Sequence, residues 1–334
     1  MATKGYQSYH GRMPGWKKLL IGILLLILIA AVGFLFLQNY QVFDQDGAHF
    51  RLPWAGQTQA DPSAEEELDD DDVIVDVQEP ASVLEELRGR TLPAETLAEE
   101  DFASLQEGER PVLTMKAANG VFLAGNDAAA DMVREKIAGR DAVARISCFA
   151  DTQQADEENG MALMSVSGRA WRDPEGNSWL DPYSADAAAY LVDIIRTCAD
   201  LGFTEIVLDD VQFPNYGRLD RITFDGGTDT PETRRQAILA FLDTVNEALE
   251  DTDVTLSVSL PAELLETGAD DEAGWDLSGI AERVDRIYVD AADQAAADAA
   301  RAALAAAAPE KDSKVFCVAC TAAPITGGSY VIVS

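Results

Sequence analysis

Histidine is nearly missing from this chain. Among its 334 residues there are two, His10 and His49, and both precede the part that reads as globular. A Ser-His-Asp triad, a Cys-His pair and a His-ligated zinc hydrolase all need an imidazole inside the domain, so these chemistries are excluded there. Catalysis is left to carboxylates, lysine, tyrosine or a hard metal ion. Basic residues are also scarce: 25 Lys and Arg stand against 59 Asp and Glu, a formal charge of −34. Such a charge repels phosphate backbones and argues against a nucleic-acid partner. Cysteine is sparse too, at Cys148, Cys198, Cys317 and Cys320. Cys317 and Cys320 form a CxxC within the apolar run KVFCVAC. On a strand, positions three apart face opposite sides, so packing is preferred over zinc or redox work, with a disulfide left open.

Apolar residues are present in quantity, at 47%, which is enough for a sizeable core. Residues 19–37, LLIGILLLILIAAVGFLFL, form one run long enough to cross a bilayer. Lys17 and Lys18 stand directly before it, with Lys4 and Arg12 further back. By the positive-inside rule this end, 1–18, stays in the cytoplasm and the rest is exported. No small-residue cleavage site follows, so an uncleaved, single-pass signal anchor in the cell membrane is preferred over a removed signal peptide. Residues 38–81 read as a disordered acidic tether. The run SAEEELDDDD at 63–72 repels itself and stays extended, a solvated spacer rather than a calcium or cation site.

From residue 82 to 334 short apolar runs alternate with helical stretches. Strands are expected at 87–93, at 109–120 with its end at Lys116, and at 142–149, 204–209, 254–260, 286–291, 314–320 and 329–334. Helices are expected at 94–106, 127–138, 184–201, 231–250, 277–284 and 292–307. Ser184 suits an N-cap, Gly202 a C-cap, and Thr230 with Pro231 a helix start. Alternation of this kind indicates an α/β fold with a parallel sheet, and eight strands over this length match a (β/α)8 TIM-type barrel. An open doubly wound sheet is the alternative. No helix fits between 320 and 329, so the barrel is degenerate at its C-terminal end.

In such a barrel chemistry gathers at the C-terminal ends of the strands. The polar residues there are Lys116, the adjacent pair Asp209 and Asp210, Glu263 and Asp290. Neighbouring strand residues alternate in direction, so one member of the Asp209–Asp210 pair is expected to face the opening and the other to face helices or loop amides. A strand-end Asp also commonly does nothing more than cap a turn. The long segment at 150–183 holds Trp171, Arg172, Asp173, Asn177, Trp179, Asp181 and Tyr183. A loop of this length in a compact domain is usually functional, and aromatic rings beside carboxylates and amides suit carbohydrate. The plainer reading is a hydrophobic lid that holds the loop down. No motif calls for a cofactor or a resident metal ion.

The run ARISCF, followed by GRAWRDPEGNSWLDPYSADAAAYLVDIIRTCADLGFTEIVLDDVQFPNYG, resembles a bacterial family of putative glycoside hydrolases with a barrel domain. VLTMKAANG and WDLSGIAERVDRIYV are similar to its flanking segments, and the likeness covers roughly 110 to 290. The resemblance implies a barrel acting on polysaccharide or oligosaccharide, with the family's strand-end acid at Asp209. It places Lys116, Arg145, Trp171, Asp173, Trp179 and Tyr183 at other motif positions, as substrate-binding residues together with Asp210. The sequence departs from the family pattern at Asp210, where Tyr is usual, at Gln212, where Arg is usual, and at YVDAAD, where Met-x-Tyr-Pro is usual.

The resulting expectation is a membrane-anchored, extracytoplasmic glycosidase that uses two carboxylates. Asp209 is one, and Asp290 ranks above Glu263 as the other. Asp210 is expected to raise the pKa of Asp209 by proximity, and Lys116 and Arg145 to bind sugar hydroxyls or hold a carboxylate ionised. Two rivals remain. One is an inactive glycan-binding barrel that serves as an envelope scaffold. The other is a hydrolase that holds Mg²⁺ or Ca²⁺ on Asp209, Asp210 and Asp290.

Overall fold

The computed structural model describes residues 41–44, 47–50, 86–93, 97–157, 159–224, 229–307 and 316–333. The apolar run at 19–37 and the acidic run at 63–72 lie outside them. No helix among the described residues is long and apolar enough to cross a membrane. The chain divides into two units, 1–76 and 77–334. In the first, Gln41–Asp44 and Gly47–Phe50 pair as an antiparallel hairpin, which the reading of 38–81 as a disordered tether does not anticipate.

The second unit is a closed barrel of eight parallel strands. In chain order they are β1 (Arg88–Leu92), β2 (Arg110–Lys116), β3 (Val143–Ser147), β4 (Glu205–Asp209), β5 (Thr255–Ser259), β6 (Arg286–Asp290), β7 (Phe316–Thr321) and β8 (Tyr330–Ile332). Each pairs with its sequence neighbour, and β8 closes on β1 through Tyr330 opposite Arg88. The outer helices are α1 (Glu99–Ala103), α2 (Asp127–Ile137), α3 (Ala185–Leu201), α4 (Pro231–Leu249), α5 (Leu277–Ala281) and α6 (Gln294–Ala307). The expected (β/α)8 barrel is therefore observed, and the open sheet is not.

Local chemistry fixes the helix ends. The Ser184 side chain accepts from the Ala187 amide, and Gly202 ends α3 at φ 103°. That left-handed conformation costs glycine little because it has no Cβ. Thr230 caps α4 ahead of Pro231. As expected, no helix stands between β7 and β8. The loop there is tied to α6 instead, where Gln294 Oε1 accepts from the Thr326 amide at 2.9 Å and Gln294 Nε2 donates to the Thr326 carbonyl at 3.1 Å.

Both faces of the sheet are covered, which explains why the strands read as nearly continuous apolar runs. Inside the barrel Leu87, Val112, Val143, Val207, Tyr288, Val318, Cys320 and Val331 form one cluster. Outside it Leu113, Ile146, Leu208 and Val289 pack with helix residues such as Leu191, Ile195 and Leu242. Cys317 packs with the outer cluster and Cys320 with the inner one, and all four cysteines are free. The opposite facing expected of the CxxC is thus realised.

At the N-terminal end the barrel is plugged by a polar group. Glu205 accepts from the Arg286 guanidinium, from Tyr288 Oη at 2.7 Å and from Ser257 Oγ at 2.8 Å. All four side chains are buried. Removing one partner of a buried ion pair strands the other charge, at a cost of about 3–5 kcal/mol. Arg286→Ala is therefore expected to lower unfolding stability by about that amount, measured by urea denaturation. A loss within experimental error would show that the plug contributes nothing to stability.

Candidate active site

The C-terminal mouth of the barrel is built from residues that end the strands. Arg145 lies two residues before the end of β3 and faces the same way as Ser147 by strand alternation. Asp209 ends β4, Ser259 ends β5 and Asp290 ends β6. The Arg145 guanidinium grips Asp209 with two bonds, Nε to Oδ2 at 3.0 Å and Nη2 to Oδ1 at 2.5 Å. Nη2 also lies 3.5 Å from Ser259 Oγ. Burial opposes the charge on Arg145, but the adjacent Asp209 carboxylate outweighs it and pushes the guanidinium pKa up.

Asp210 follows Asp209 at φ 53°, in the left-handed region that few residues other than glycine adopt. This breaks the alternation of the strand. Both aspartates therefore line one cleft of about 790 Å³, where one was expected to turn away. Asp210 Oδ2 accepts from Ser147 Oγ at 2.6 Å. Burial raises the Asp210 carboxyl above its ordinary value. The Ser147 hydrogen bond opposes this, the Asp209 charge adds to it, and the charges on Lys116 and Arg145 oppose it.

Glu263 and Asp290 also line the cleft. Both are exposed, and their carboxylates have no hydrogen bond or ion pair among the described residues. Three further acids close the rim. Asp270 accepts from Asn215 Nδ2 at 3.0 Å, Glu272 pairs with Arg234 at 2.9 Å, and Asp271 lies 3.7 Å from Arg235. Among the described residues no group of three or more His, Cys, Asp or Glu side chains is arranged to hold a metal ion.

The remaining sequence candidates sit elsewhere. Lys116 is fully buried, 2.9 Å from Asp151 and donating to the Ser147 carbonyl at 2.6 Å. The strand register slips between Thr114 and Lys116, and the ammonium fastens the backbone after β3 rather than facing the cleft. Asp151 also accepts from Tyr190 Oη at 3.1 Å and from the Gln154 amide at 2.8 Å. The aromatics of the long loop are inward too. Trp171 and Trp179 are buried. Trp171 Nε1 donates to the Arg218 carbonyl and Trp179 Nε1 to Asp173 Oδ2, both at 3.0 Å. Tyr183 Oη donates to Asp229 Oδ1 at 3.0 Å, and its ring packs 4.8 Å from that of Phe213. These aromatics do not line the cleft. Trp171 and Arg172 also border a second cavity of about 930 Å³, with Asp156, Arg169 and Asp181.

Sequence reasoning did not single out Ser147, Ser259 or Asp151. Ser147 carried a usable signal, since it follows Arg145 by two on the same strand face. Asp151 carried none before its contacts were known.

A (β/α)8 barrel with an arginine-clamped aspartate in an acid-lined cleft at its C-terminal mouth has the layout of a barrel enzyme. The chain belongs to the putative glycosyl hydrolase domain family, whose profile matches residues 115–289. No curated protein matches it. Among solved structures, it is similar to a hypothetical protein from Ruminiclostridium thermocellum ATCC 27405, with 26% identity over 51% of this chain and 96% of that one and a TM-score of 0.41. It is also similar to the PgaB (BpsB) glycoside hydrolase domain from Bordetella bronchiseptica, with 12% identity, coverage of 71% and 84%, and a TM-score of 0.48. A third is Aspergillus fumigatus Ega3 in complex with galactosamine, with 13% identity, coverage of 70% and 77%, and a TM-score of 0.42.

Asp173 is the hub of the loop that borders the second cavity. Besides Trp179 it accepts from the Asn177 amide at 2.8 Å, Asn177 Nδ2 at 3.2 Å and Tyr216 Oη at 3.1 Å. Burial works against its charge, but the donors on Trp179, Asn177 and Tyr216 outweigh it and hold the pKa below the ordinary value. A depressed carboxylate stabilises the fold above its unfolded pKa, and this contribution is lost as pH falls through the folded value. Asp173→Ala is expected to cost about 3 kcal/mol at neutral pH, and the gap to the wild type should narrow in acid. A gap independent of pH in denaturation curves would contradict this assignment.

Proposed function

We propose that the chain is a glycoside hydrolase acting on cell-wall or extracellular polysaccharide through two carboxyl groups. The observation that carries this reading is the bidentate Arg145–Asp209 pair, set in an acid-lined cleft at the barrel mouth with Glu263 and Asp290, whose carboxylates have no partner among the described residues. In glycoside hydrolysis one carboxyl group protonates the leaving oxygen while an ionised one meets the positive charge that develops at the anomeric carbon. Asp209 supplies the ionised group, because Arg145 orients it and balances its charge. Glu263 and Asp290 reach the same cleft from the short helix Ala262–Thr267 that follows β5 and from the end of β6. They bind sugar hydroxyls or take the proton of the attacking water. Seven carboxylates line the cleft and no Lys or Arg does, so polymers rich in uronic acid or phosphate are repelled, and neutral or amino sugars fit.

One observation favours the inactive, glycan-binding alternative: both oxygens of Asp209 are already engaged by Arg145. Screening the exported part of the chain on an oligosaccharide panel, with Asp209→Asn as control, separates the two readings. The hydrolase account expects cleavage that falls by about 100-fold or more in the variant, with folding intact by circular dichroism and no response to chelator. Binding without turnover would support the scaffold, and loss of activity on chelation would support the metal-dependent rival.

Residues 19–37 serve in this account as the membrane anchor, with the barrel outside the cytoplasm. The protein should then stay in the membrane pellet after alkaline extraction, and its barrel should be open to protease added to intact spheroplasts. Release by alkali, or protection from that protease, would refute the placement.

A further inference from the structure

The two aspartates that follow each other at the end of β4 are handled in opposite ways. Asp209 has both oxygens on Arg145, at 3.0 and 2.5 Å. Asp210 has one oxygen on Ser147 Oγ at 2.6 Å, and its other oxygen has no partner among the described residues. No cation forms an ion pair with Asp210 there: the nearby Lys116 is committed to Asp151 and Arg145 to Asp209. The left-handed backbone at Asp210, uncommon outside glycine, lies in the wall of a cleft, and conformations of this kind cluster at active sites. It is held by the Phe149 amide, which donates to the Asp210 carbonyl at 3.2 Å.

Resting on the hydrolase reading above, we propose that Asp210 is the catalytic acid, which delivers a proton to the leaving glycosidic oxygen while the Arg145–Asp209 pair stays charged beside the anomeric carbon. In that step the bond between the anomeric carbon and the leaving oxygen breaks, with its electron pair going to the oxygen. The Asp210 O–H bond breaks, and its proton completes the leaving hydroxyl. A water oxygen then bonds to the anomeric carbon. The proton that this water sheds passes to a carboxylate of the cleft and restores the acid. No other co-reactant is needed.

The surroundings of Asp210 favour its protonated form. Burial raises its pKa, and the Asp209 charge adds to the rise, against the Ser147 hydroxyl, Lys116 and Arg145. Glu263 and Asp290, on the same cleft, are exposed. Adjacent carboxyl groups whose environments differ in this way mark an acid and its ionised partner.

The test uses Asp210→Asn in the full chain in detergent. Asn tolerates the left-handed backbone, which keeps the fold comparable. Two substrates are compared: the hexose or hexosamine oligomer that the wild type cleaves, and the dinitrophenyl glycoside of the same sugar, whose leaving group needs no proton. Asp210→Asn should lower kcat/KM on the oligomer by about 100-fold or more, lower it far less on the dinitrophenyl glycoside, and abolish the basic limb of the pH profile. Ser147→Ala, which removes a bond to the charged form, should move that limb to higher pH. Equal losses on both substrates, or no loss on the oligomer, would overturn the assignment. A readout independent of turnover is the carboxyl NMR titration of isotope-labelled aspartate. One signal should titrate above the ordinary carboxylate range and vanish in Asp210→Asn, and its absence also overturns the assignment. A wild type that cleaves no oligomer would refute the hydrolase reading itself, and this failure is visible before any substitution is made.

Discussion

The arginine–aspartate pair in the barrel mouth is the interaction on which the site depends. Asp209 ends β4 and Arg145 stands on the neighbouring β3, so the barrel's own register brings them together. Two parallel hydrogen bonds fix the plane of the carboxylate as well as its charge. That fixation leaves Asp210, one residue on, without a cation of its own. The difference between the two aspartates is thus a consequence of sheet geometry and of a single left-handed residue.

The rest of the barrel keeps this pair in place. Below it an apolar layer around Val207 and Tyr288 fills the interior, and the Glu205–Arg286 plug closes the far end. Buried ion pairs contribute little net stability because desolvation offsets their attraction, yet breaking one is costly. Such pairs suit places where a defined arrangement matters. To the side, Lys116 and Asp151 fasten the chain after β3, and Asp173 gathers the donors of Trp179, Asn177 and Tyr216. The aromatic residues that suggest sugar stacking in the sequence do not line the cleft, and Trp171 and Trp179 are buried in their own loop.

The barrel was largely legible in the sequence because short apolar runs, capped helices and their alternation are local signals. Ser184, Gly202 and Thr230 act at the helix ends as their residue types dictate. The four candidate acids, Asp209, Asp210, Glu263 and Asp290, stand out in the sequence by their position at or just after strand ends and do line one cleft. Partner choice was not legible. Lys116 turns to Asp151 because of a register slip that the sequence does not announce. The direction of Asp210 depends on a backbone conformation that an Asp allows without requiring. Trp171 and Trp179 have the same composition whether they face sugar or core, and only tertiary contacts distinguish the two.

The most direct measurement is a crystal structure of the Asp209→Asn protein soaked with the oligomer that the wild type cleaves. The account requires an intact oligomer across the barrel mouth, its scissile oxygen within about 2.6–3.2 Å of an Asp210 oxygen and its anomeric carbon beside residue 209. An oligomer seated in the cavity bordered by Trp171 and Arg172, or one whose scissile bond lies beyond reach of both positions, would contradict it.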